Sequence, residues 1–214
     1  MVTRLIAADL DGTLVRAKDI HYDALNLALQ KISDTTINEE EHETTFNGLP
    51  TRTKLSLLIQ QGRVRQEDVS LLYEEKQRET FRQFYLQIKL DPAIIEIGSY
   101  WKKKGFLVAC VTNAIRTSAE IMLSLCGIRP FVDLVISNED VVAPKPNPAG
   151  YLKAMSLLGI GPDETIIIED APKGIAAAEA TRCPNVWRVR DVDEVNVENF
   201  KQFMERKNDR LPCR

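Results

Sequence analysis

Two aspartates, Asp9 and Asp11, follow a short apolar run near the start of the chain. The run, Leu5–Ala8, is typical of a buried strand, and unpaired charge next to a core is costly. Residues i and i+2 of a strand point the same way, so the two carboxylates are expected to face one site. Adjacent carboxylates repel unless a cation or a shared proton relieves them, and the pair therefore predicts a hard metal ion such as Mg²⁺. The alternative is an acidic turn that merely ends a strand.

Further polar groups follow later apolar runs. Thr112 and Asn113 come after one run, Glu169 and Asp170 end an isoleucine-rich run, and Lys145 lies between two prolines that stiffen its backbone. In an open α/β sheet the carboxyl ends of the strands line one crevice, so these groups are predicted to converge there.

This set of groups is suited to phosphoryl transfer. A carboxylate that attacks a phosphate dianion meets like-charge repulsion, which a divalent ion, a lysine ammonium and neutral donors would offset. One carboxylate can act as the nucleophile while the other handles protons, so that an aspartyl-phosphate forms and is hydrolysed. The predicted cofactor is Mg²⁺, and the predicted partner is a small phosphorylated metabolite.

The elements that must position these groups are those of an α/β protein. From residue 106 onward, short apolar runs alternate with helical patterns, as in βαβ units around a parallel sheet. The predicted fold class is α/β, with a three-layer αβα, Rossmann-like parallel-sheet core. Strands are expected over 4–8, 106–111, 134–136, 165–168 and 186–189. Helices are expected over 115–123, from 147 to 158 and over 174–182. No Gly-x-Gly-x-x-Gly fingerprint follows a strand, which argues against a dinucleotide site.

Residues 16–90 interrupt this alternation with helical spacing and no convincing strand. They are predicted to form an inserted, all-helical cap with hinges at Val15–Ala17 and Lys89–Pro92. The Rossmann-like core is then formed by residues 1–15 and 91–214. A lobe at the carboxyl ends of the strands is expected to shield the site and to select the substrate.

The composition narrows the class of protein. The 214 residues carry a net charge of −3, which gives no case for nucleic acid or an anionic membrane as a partner. No apolar stretch approaches the roughly 18–20 residues that span a bilayer, and no leader pattern is seen. The four cysteines have no paired spacing, so reduced thiols and a cytoplasmic location are expected. The oligomeric state is not indicated.

The motifs resemble those of the haloacid dehalogenase-like (HAD) superfamily, in its phosphatase and β-phosphoglucomutase-like branch with a helical, C1-type cap. Asp9 and Asp11 match the Asp-x-Asp-Gly-Thr motif, which implies that Asp9 is the nucleophile and Asp11 the general acid/base. Thr112 matches the phosphate-binding hydroxyl residue, and Asn113 lies beside it, which implies that both bind phosphate. Lys145 matches the lysine that neutralises the phosphoryl oxygens.

The resemblance also implies a metal site. Glu169 and Asp170 match the acidic pair that holds Mg²⁺ together with the Asp9 carboxylate and the Asp11 backbone carbonyl. Ala171 stands where a serine is common, so a supporting hydrogen bond is expected to be missing and the metal site more weakly tuned. Gly150, in place of a large apolar residue, is expected to weaken the first turn of its helix by up to about 1 kcal/mol.

The aspartate at position 11 is similar to the one that this motif carries in enzymes that hydrolyse or transfer phosphoryl groups. A phosphatase is therefore the preferred prediction. The first alternative is a sugar phosphomutase, which uses the same nucleophile and returns the phosphoryl group to its substrate. A remote alternative is a non-enzymatic phospho-aspartate receiver module. Receivers are shorter, lack a helical insert and carry the phosphorylated aspartate on a later strand.

Two residues of the cap are candidates for substrate contact. Arg52 lies in a stretch, 48–52, that resembles the cap loop of the family and also reads as a turn opening a helix. His21 lies near the first cap helix, where sugar-phosphate mutases carry a histidine. Surface positions are the alternative for both, and His42 is predicted to be solvated. The acidic pair at 139–140 is predicted to lie in a solvated loop.

Overall fold

The computed structural model describes residues 4–47 and 49–209, without the side chains of 18 and 207–209. Gly48 of the predicted cap loop and Cys213 lie outside these residues. Within the described ranges, no helix has both the length and the apolar sequence that crossing a bilayer requires. The cysteines at 110, 126 and 183 are buried and are not in disulfide bonds.

Five short strands form one parallel sheet, in the order β3-β2-β1-β4-β5. Their bounds are Leu5–Ala8 (β1), Leu107–Val111 (β2), Leu134–Ile136 (β3), Thr165–Glu169 (β4) and Val186–Arg188 (β5). In the central register Ala7 pairs with Ala109 on one side and with Ile167 on the other. The chain enters the sheet in its centre, so the residues that follow β1 lie between the ends of β2 and β4.

Helices lie between the strands along the chain and follow the last strand. The α-helices are Lys18–Ser33 (α1), Glu39–Glu41 (α2), Thr51–Gln60 (α3), Val69–Gln87 (α4), Pro92–Lys103 (α5), Arg116–Cys126 (α6), Ala149–Leu158 (α7), Pro172–Ala180 (α8) and Val197–Asp209 (α9). Residues 42–46 form a π-helical turn, and short 3₁₀ turns occupy 66–68, 129–131, 138–140, 162–164 and 192–194.

Both faces of the sheet are buried. Leu5 and Ala7 of β1 belong to a core cluster with residues of α7 and α8, whereas Ile6 and Ala8 point to the opposite face and are equally inaccessible. Helices α5 and α6 pack against β2 and β3. The predicted α/β fold with a parallel sheet is therefore confirmed.

Gly150 has a packing role that the sequence did not reveal. A Cβ atom at this position would lie 2.8 Å from Cγ1 of Val111, closer than carbon atoms approach without a shift. Glycine thus lets the first turn of α7 lie directly on β2. The expected destabilisation of the helix by Gly150 therefore accompanies a close packing of helix on strand that a larger residue would prevent.

The chain forms two compact units, residues 1–16 with 89–214, and residues 17–88. The second unit is helical, and within 17–47 and 49–88 it contains no strand. Its core is built mainly from the inward faces of α1, α3 and α4, and its members are Leu25, Ala28, Leu29, Ile37, Phe46, Leu55, Leu58, Val64 and Leu72. Helix α3 begins at Thr51, with Pro50 before it.

The prediction of a solvated His42 is wrong. The side chain is 5% exposed, and its ring stacks at a tilt on Tyr22, with 4.9 Å between the ring centroids. Burial and nearby Lys54 lower the pKa of His42 to about 4. The imidazole is therefore neutral at pH 7.

Candidate active site

Asp9 is the residue directly after β1, at the carboxyl end of the central strand. Its amide donates to the carbonyl of Ile168 at 3.0 Å, which continues the sheet pairing for one more residue, and its side chain is nearly buried. The turn that follows requires the positive φ of Gly12, 91°, and the Gly12 amide donates to the carbonyl of Val15 at 2.7 Å. The sequence motif thus forms a strand end and a tight turn, with Asp11 half-buried in that turn.

Lys145 reaches the same place from the loop after β3. Its ammonium donates to Oδ1 of Asp9 at 2.5 Å, to Oε1 of Glu169 at 2.6 Å and to the carbonyl of Val111 at 2.7 Å. An ammonium has three donors, and all of them are used here. One cation therefore connects the ends of the three central strands β2, β1 and β4.

The electrostatics of this group follow from its burial. Burial raises the pKa of Asp9 well above its ordinary value, against the lowering effect of Lys145, and the carboxylates of Glu169 and Asp170 raise it further. For Lys145, burial favours the neutral form, but Asp9 and Glu169 more than offset this and raise its pKa. The lysine is positively charged, and the three carboxyl groups of Asp9, Glu169 and Asp170 lie around this one cation.

Three carboxylates are close enough to share a cation. One oxygen each of Asp9, Glu169 and Asp170 lie within 4.8 Å of one another. The second oxygen of Glu169, Oε2, is buried and accepts no hydrogen bond in the described part of the chain. Hard divalent ions prefer carboxylate oxygens, so the residues present fit a Mg²⁺ ion by charge and by donor chemistry.

Thr13 supports Asp170. Its hydroxyl donates to Oδ1 of Asp170 at 2.9 Å. At position 171, where the resemblance leads one to expect a serine, alanine offers no hydroxyl, and Thr13 donates a side-chain hydrogen bond to the Asp170 carboxylate. The effect of Ala171 on metal affinity remains a prediction.

Thr112 and Asn113 follow β2 at the same edge of the sheet. The Thr112 hydroxyl oxygen accepts from the amide of Ala114 at 3.0 Å. The Asn113 side chain is bonded to the backbone of Lys145 in both directions, accepting from its amide at 2.9 Å and donating to its carbonyl at 3.2 Å. Asn113 therefore positions the lysine loop, and its contact with phosphate, which the motif implies, remains a prediction.

The acidic pair at 139–140 lies on a short 3₁₀ turn, a solvent-accessible connection with Glu139 exposed and Asp140 half-buried. Asp140 accepts from the amide of Ser137 at 2.8 Å, from its hydroxyl at 2.7 Å and from the Arg116 guanidinium at 2.6 Å. Glu139 accepts from the Arg116 amide at 2.6 Å. These residues anchor the start of α6 to the end of β3.

The two cap candidates lie in the helical unit. His21, on α1, has its Nδ1 3.3 Å from the ammonium of Lys76 on α4. Arg52, exposed on the first turn of α3, has its guanidinium 5.7 Å from the centroid of the Tyr73 ring. Their contact with a substrate remains a prediction.

Two further residues at the site were not identified from sequence. Tyr151, on α7, donates from its hydroxyl to Oε1 of Glu169 at 2.5 Å, and Gly174, on α8, lies against the same carboxylate. A buried tyrosine on an otherwise apolar helix face, six residues after the candidate lysine, was the available signal for Tyr151.

Comparisons with known proteins identify the family of the chain. A model of the haloacid dehalogenase-like hydrolase family matches residues 6–187. Phosphoglycolate phosphatase of Aquifex aeolicus is 30% identical over 185 residues, which cover 82% of this chain and 80% of the relative. A phosphorylated carbohydrates phosphatase of Thermotoga maritima is 21% identical over 85% of this chain and 82% of its own.

Among solved structures, β-phosphoglucomutase of Clostridium difficile superposes with a TM-score of 0.81. The alignment covers 98% of this chain and 100% of that one at 19% identity, a likeness of fold. The chain belongs to the haloacid dehalogenase-like hydrolase family. Within it, the curated relatives described above are named as phosphatases, in agreement with the branch that the motifs predicted.

Proposed function

We propose that this chain is a Mg²⁺-dependent phosphatase that hydrolyses the phosphomonoester of a small metabolite through an aspartyl-phosphate. The observation that carries the proposal is the contact of Lys145 with both Asp9 and Glu169 at the carboxyl end of the sheet. This contact brings a nucleophilic carboxylate, a fixed cation and a metal-ligand candidate together. The phosphatase names of the curated relatives support hydrolysis as the outcome.

Asp9 and Asp11 would have separate roles in the reaction. A carboxylate oxygen of Asp9 attacks phosphorus, the bond from phosphorus to the ester oxygen breaks, and Asp11 gives its proton to the departing alcohol. Asp11 then takes a proton from water as the water attacks the aspartyl-phosphate. The bond from phosphorus to Asp9 breaks, and phosphate and the free carboxylate are released.

The remaining residues lower the electrostatic cost. Lys145 and the hydroxyl of Thr112 would neutralise or donate to the phosphoryl oxygens, while Asn113 keeps the lysine loop in place. Asp9, Glu169, Asp170 and the backbone carbonyl of Asp11 would hold Mg²⁺. When bound, the ion supplies positive charge against which a carboxylate and a phosphate dianion can approach each other.

The test is an assay of phosphate release from a panel of phosphorylated metabolites that includes phosphoglycolate and sugar phosphates. We expect turnover of at least one compound with Mg²⁺, its loss in EDTA and its loss in Asp9→Asn. Asp163→Asn, on an exposed turn, is the matched control and should keep full activity. No release from any compound, or equal release by Asp9→Asn, would refute the proposal.

Two additions separate the alternatives. Incubation with β-glucose 1-phosphate should yield free phosphate; glucose 6-phosphate as the main product would identify a mutase. Acid quenching during turnover should trap a phosphoprotein that Asp9→Asn does not form. A stable phosphoprotein without turnover would instead indicate a receiver module, although membership in a hydrolase family favours an enzyme.

A further inference from the structure

Tyr151 is a fully buried tyrosine in a cluster of otherwise apolar side chains. It packs in the core cluster that joins α7 and α8 to the sheet. Phenylalanine would fill the same volume, and a buried hydroxyl is costly unless it has a partner. The partner is Oε1 of Glu169, which accepts the hydroxyl proton at 2.5 Å. The hydroxyl is therefore explained by this one contact.

The carboxylate of Glu169 is held asymmetrically. Oε1 accepts from both Tyr151 and Lys145, whereas Oε2 is buried and accepts nothing in the described ranges. On another side, a Cβ atom at Gly174 would lie 2.0 Å from the carboxylate, so the helix backbone there limits its movement. The two hydrogen bonds to Oε1 and the close helix backbone at Gly174 restrict rotation of the carboxylate plane.

The ring of Tyr151 also contacts the lysine. Its centroid lies 4.9 Å from Nζ of Lys145, a cation–π distance. One side chain thus supports the ammonium with its ring and the carboxylate of Glu169 with its hydroxyl. Removing the hydroxyl alone leaves the ring contact in place, which separates the two contributions.

We propose that Tyr151 is a positioning residue whose hydroxyl holds Glu169 so that Oε2 is offered to the divalent cation. The inference rests on the proposed function, because it takes Glu169 as a metal ligand. Tyr151 does not touch the substrate or the reacting atoms. Its effect passes through the orientation of one carboxylate.

The experiment is calorimetric titration of the metal-free protein with Mg²⁺, comparing wild type with Tyr151→Phe. Residues that orient metal ligands typically contribute about 10–100-fold to metal affinity, so we expect the Kd for Mg²⁺ to rise by at least about 10-fold. At saturating Mg²⁺, kcat should return to within about threefold of wild type, because the variant affects loading of the site. Tyr100→Phe, on α5, is the matched control and should leave the Kd unchanged.

A double-mutant cycle tests whether the effect passes through Glu169. Adding Tyr151→Phe to Glu169→Gln should weaken Mg²⁺ binding no further, since the two changes act on one interaction. Tyr151→Leu lacks the ring as well as the hydroxyl, so its Kd should rise at least as much as that of Tyr151→Phe. If only one of the two variants folds, the test is made with that variant.

Several results would overturn the inference. They are an unchanged Kd in Tyr151→Phe, an equal loss in the Glu169→Gln background, or a loss of kcat that Mg²⁺ does not restore. A wild-type protein that turns over phosphomonoesters with Mg²⁺ while Tyr151→Phe binds the ion equally well refutes this inference alone. A wild-type protein that neither binds Mg²⁺ nor releases phosphate refutes the proposed function as well.

Discussion

Lys145 and Asp9 are separated by 136 residues in the chain and joined by a hydrogen bond of 2.5 Å between Nζ and Oδ1. Each is nearly buried, with 7% and 12% of its side chain exposed. Their attraction acts in a poorly solvated place, where charge interactions are stronger than in water. Lys145 also pairs with Glu169, so loss of the lysine leaves two buried carboxylates without a cation, whereas loss of the Asp9 charge leaves the lysine paired.

Replacement of Lys145 by methionine should therefore affect both stability and catalysis. Methionine keeps much of the side-chain length but leaves Asp9 and Glu169 without their shared cation. Breaking a buried pair typically costs about 3–5 kcal/mol, and removing one charge-stabilising donor typically lowers kcat about 10²–10³-fold. We expect Lys145→Met to show both losses, in urea unfolding without metal and in phosphate release.

Lys103→Met, at an exposed position at the end of α5, is the control for the loss of a lysine charge. It should change neither quantity. A Lys145→Met variant with wild-type turnover would remove the lysine from the site chemistry.

Asp9→Asn is expected to reduce activity without reducing stability, unlike Lys145→Met, which should reduce both. Burial raises the pKa of Asp9, so the ionised side chain is held at a cost to the fold. Asparagine has nearly the same shape and no charge. We expect turnover to fall at least about 10³-fold, the scale for removal of a nucleophile. The unfolding midpoint in EDTA should be equal to or above that of wild type.

Circular dichroism and urea unfolding check the second half of this prediction. An Asp9→Asn protein that is less stable than wild type without metal would show that the Asp9–Lys145 attraction outweighs the burial cost. Retained turnover would exclude Asp9 as the nucleophile.

The carboxyl ends of the strands were predictable because local pattern encodes them. The apolar runs before Asp9, Thr112 and Glu169 mark buried strands, and parallel pairing places their ends together. The family and the α/β sheet followed from the same residues and are confirmed.

What the sequence did not reveal are partners from distant segments. The contacts of Tyr151 with Glu169 and of Thr13 with Asp170 depend on which helix or turn lies beside which strand. The local periodicity of the sequence does not indicate which elements lie side by side. The prediction for His42 was wrong for a related reason. Its acidic and threonine neighbours suggest that the side chain is exposed to solvent, yet the π-helical turn places the ring against Tyr22.

Gly174 allows a prediction in which the usual rule for helices is reversed. Gly→Ala within a helix normally stabilises by about 1 kcal/mol. Here the new Cβ would lie 2.0 Å from the Glu169 carboxylate, which Lys145 and Tyr151 hold in place. Overpacking typically costs about 1–3 kcal/mol, so we expect Gly174→Ala to lower the free energy of unfolding in urea and to weaken Mg²⁺ binding.

Gly161→Ala is the matched control, because nothing lies within 4 Å of its Cβ position and its φ is −82°. That variant should stay within about 0.5 kcal/mol of wild type. Equal stability of the two variants would mean that the carboxylate moves freely, and would weaken the case for a fixed Glu169.

Asp140 gives a pH-dependent prediction away from the candidate active site. Burial opposes ionisation of this carboxyl, but hydrogen bonds from Ser137 and Arg116 outweigh it and lower the pKa to about 2. Ionised Asp140 therefore stabilises the fold above the unfolded-state pKa of about 4, and this contribution disappears as the pH falls from about 4 towards 2. With 23% of the side chain exposed, we expect about 1–2 kcal/mol.

Asp140→Asn should thus unfold in urea with a lower free energy than wild type at pH 7, and the difference should shrink as the pH falls below about 4. Asp163→Asn, an exposed carboxyl on the turn before β4, should show a much smaller difference at every pH. A gap between Asp140→Asn and wild type that is the same at pH 3 and pH 7 would mean that the carboxylate charge does not contribute. The Ser137 and Arg116 contacts would then stabilise the start of α6 through their geometry alone.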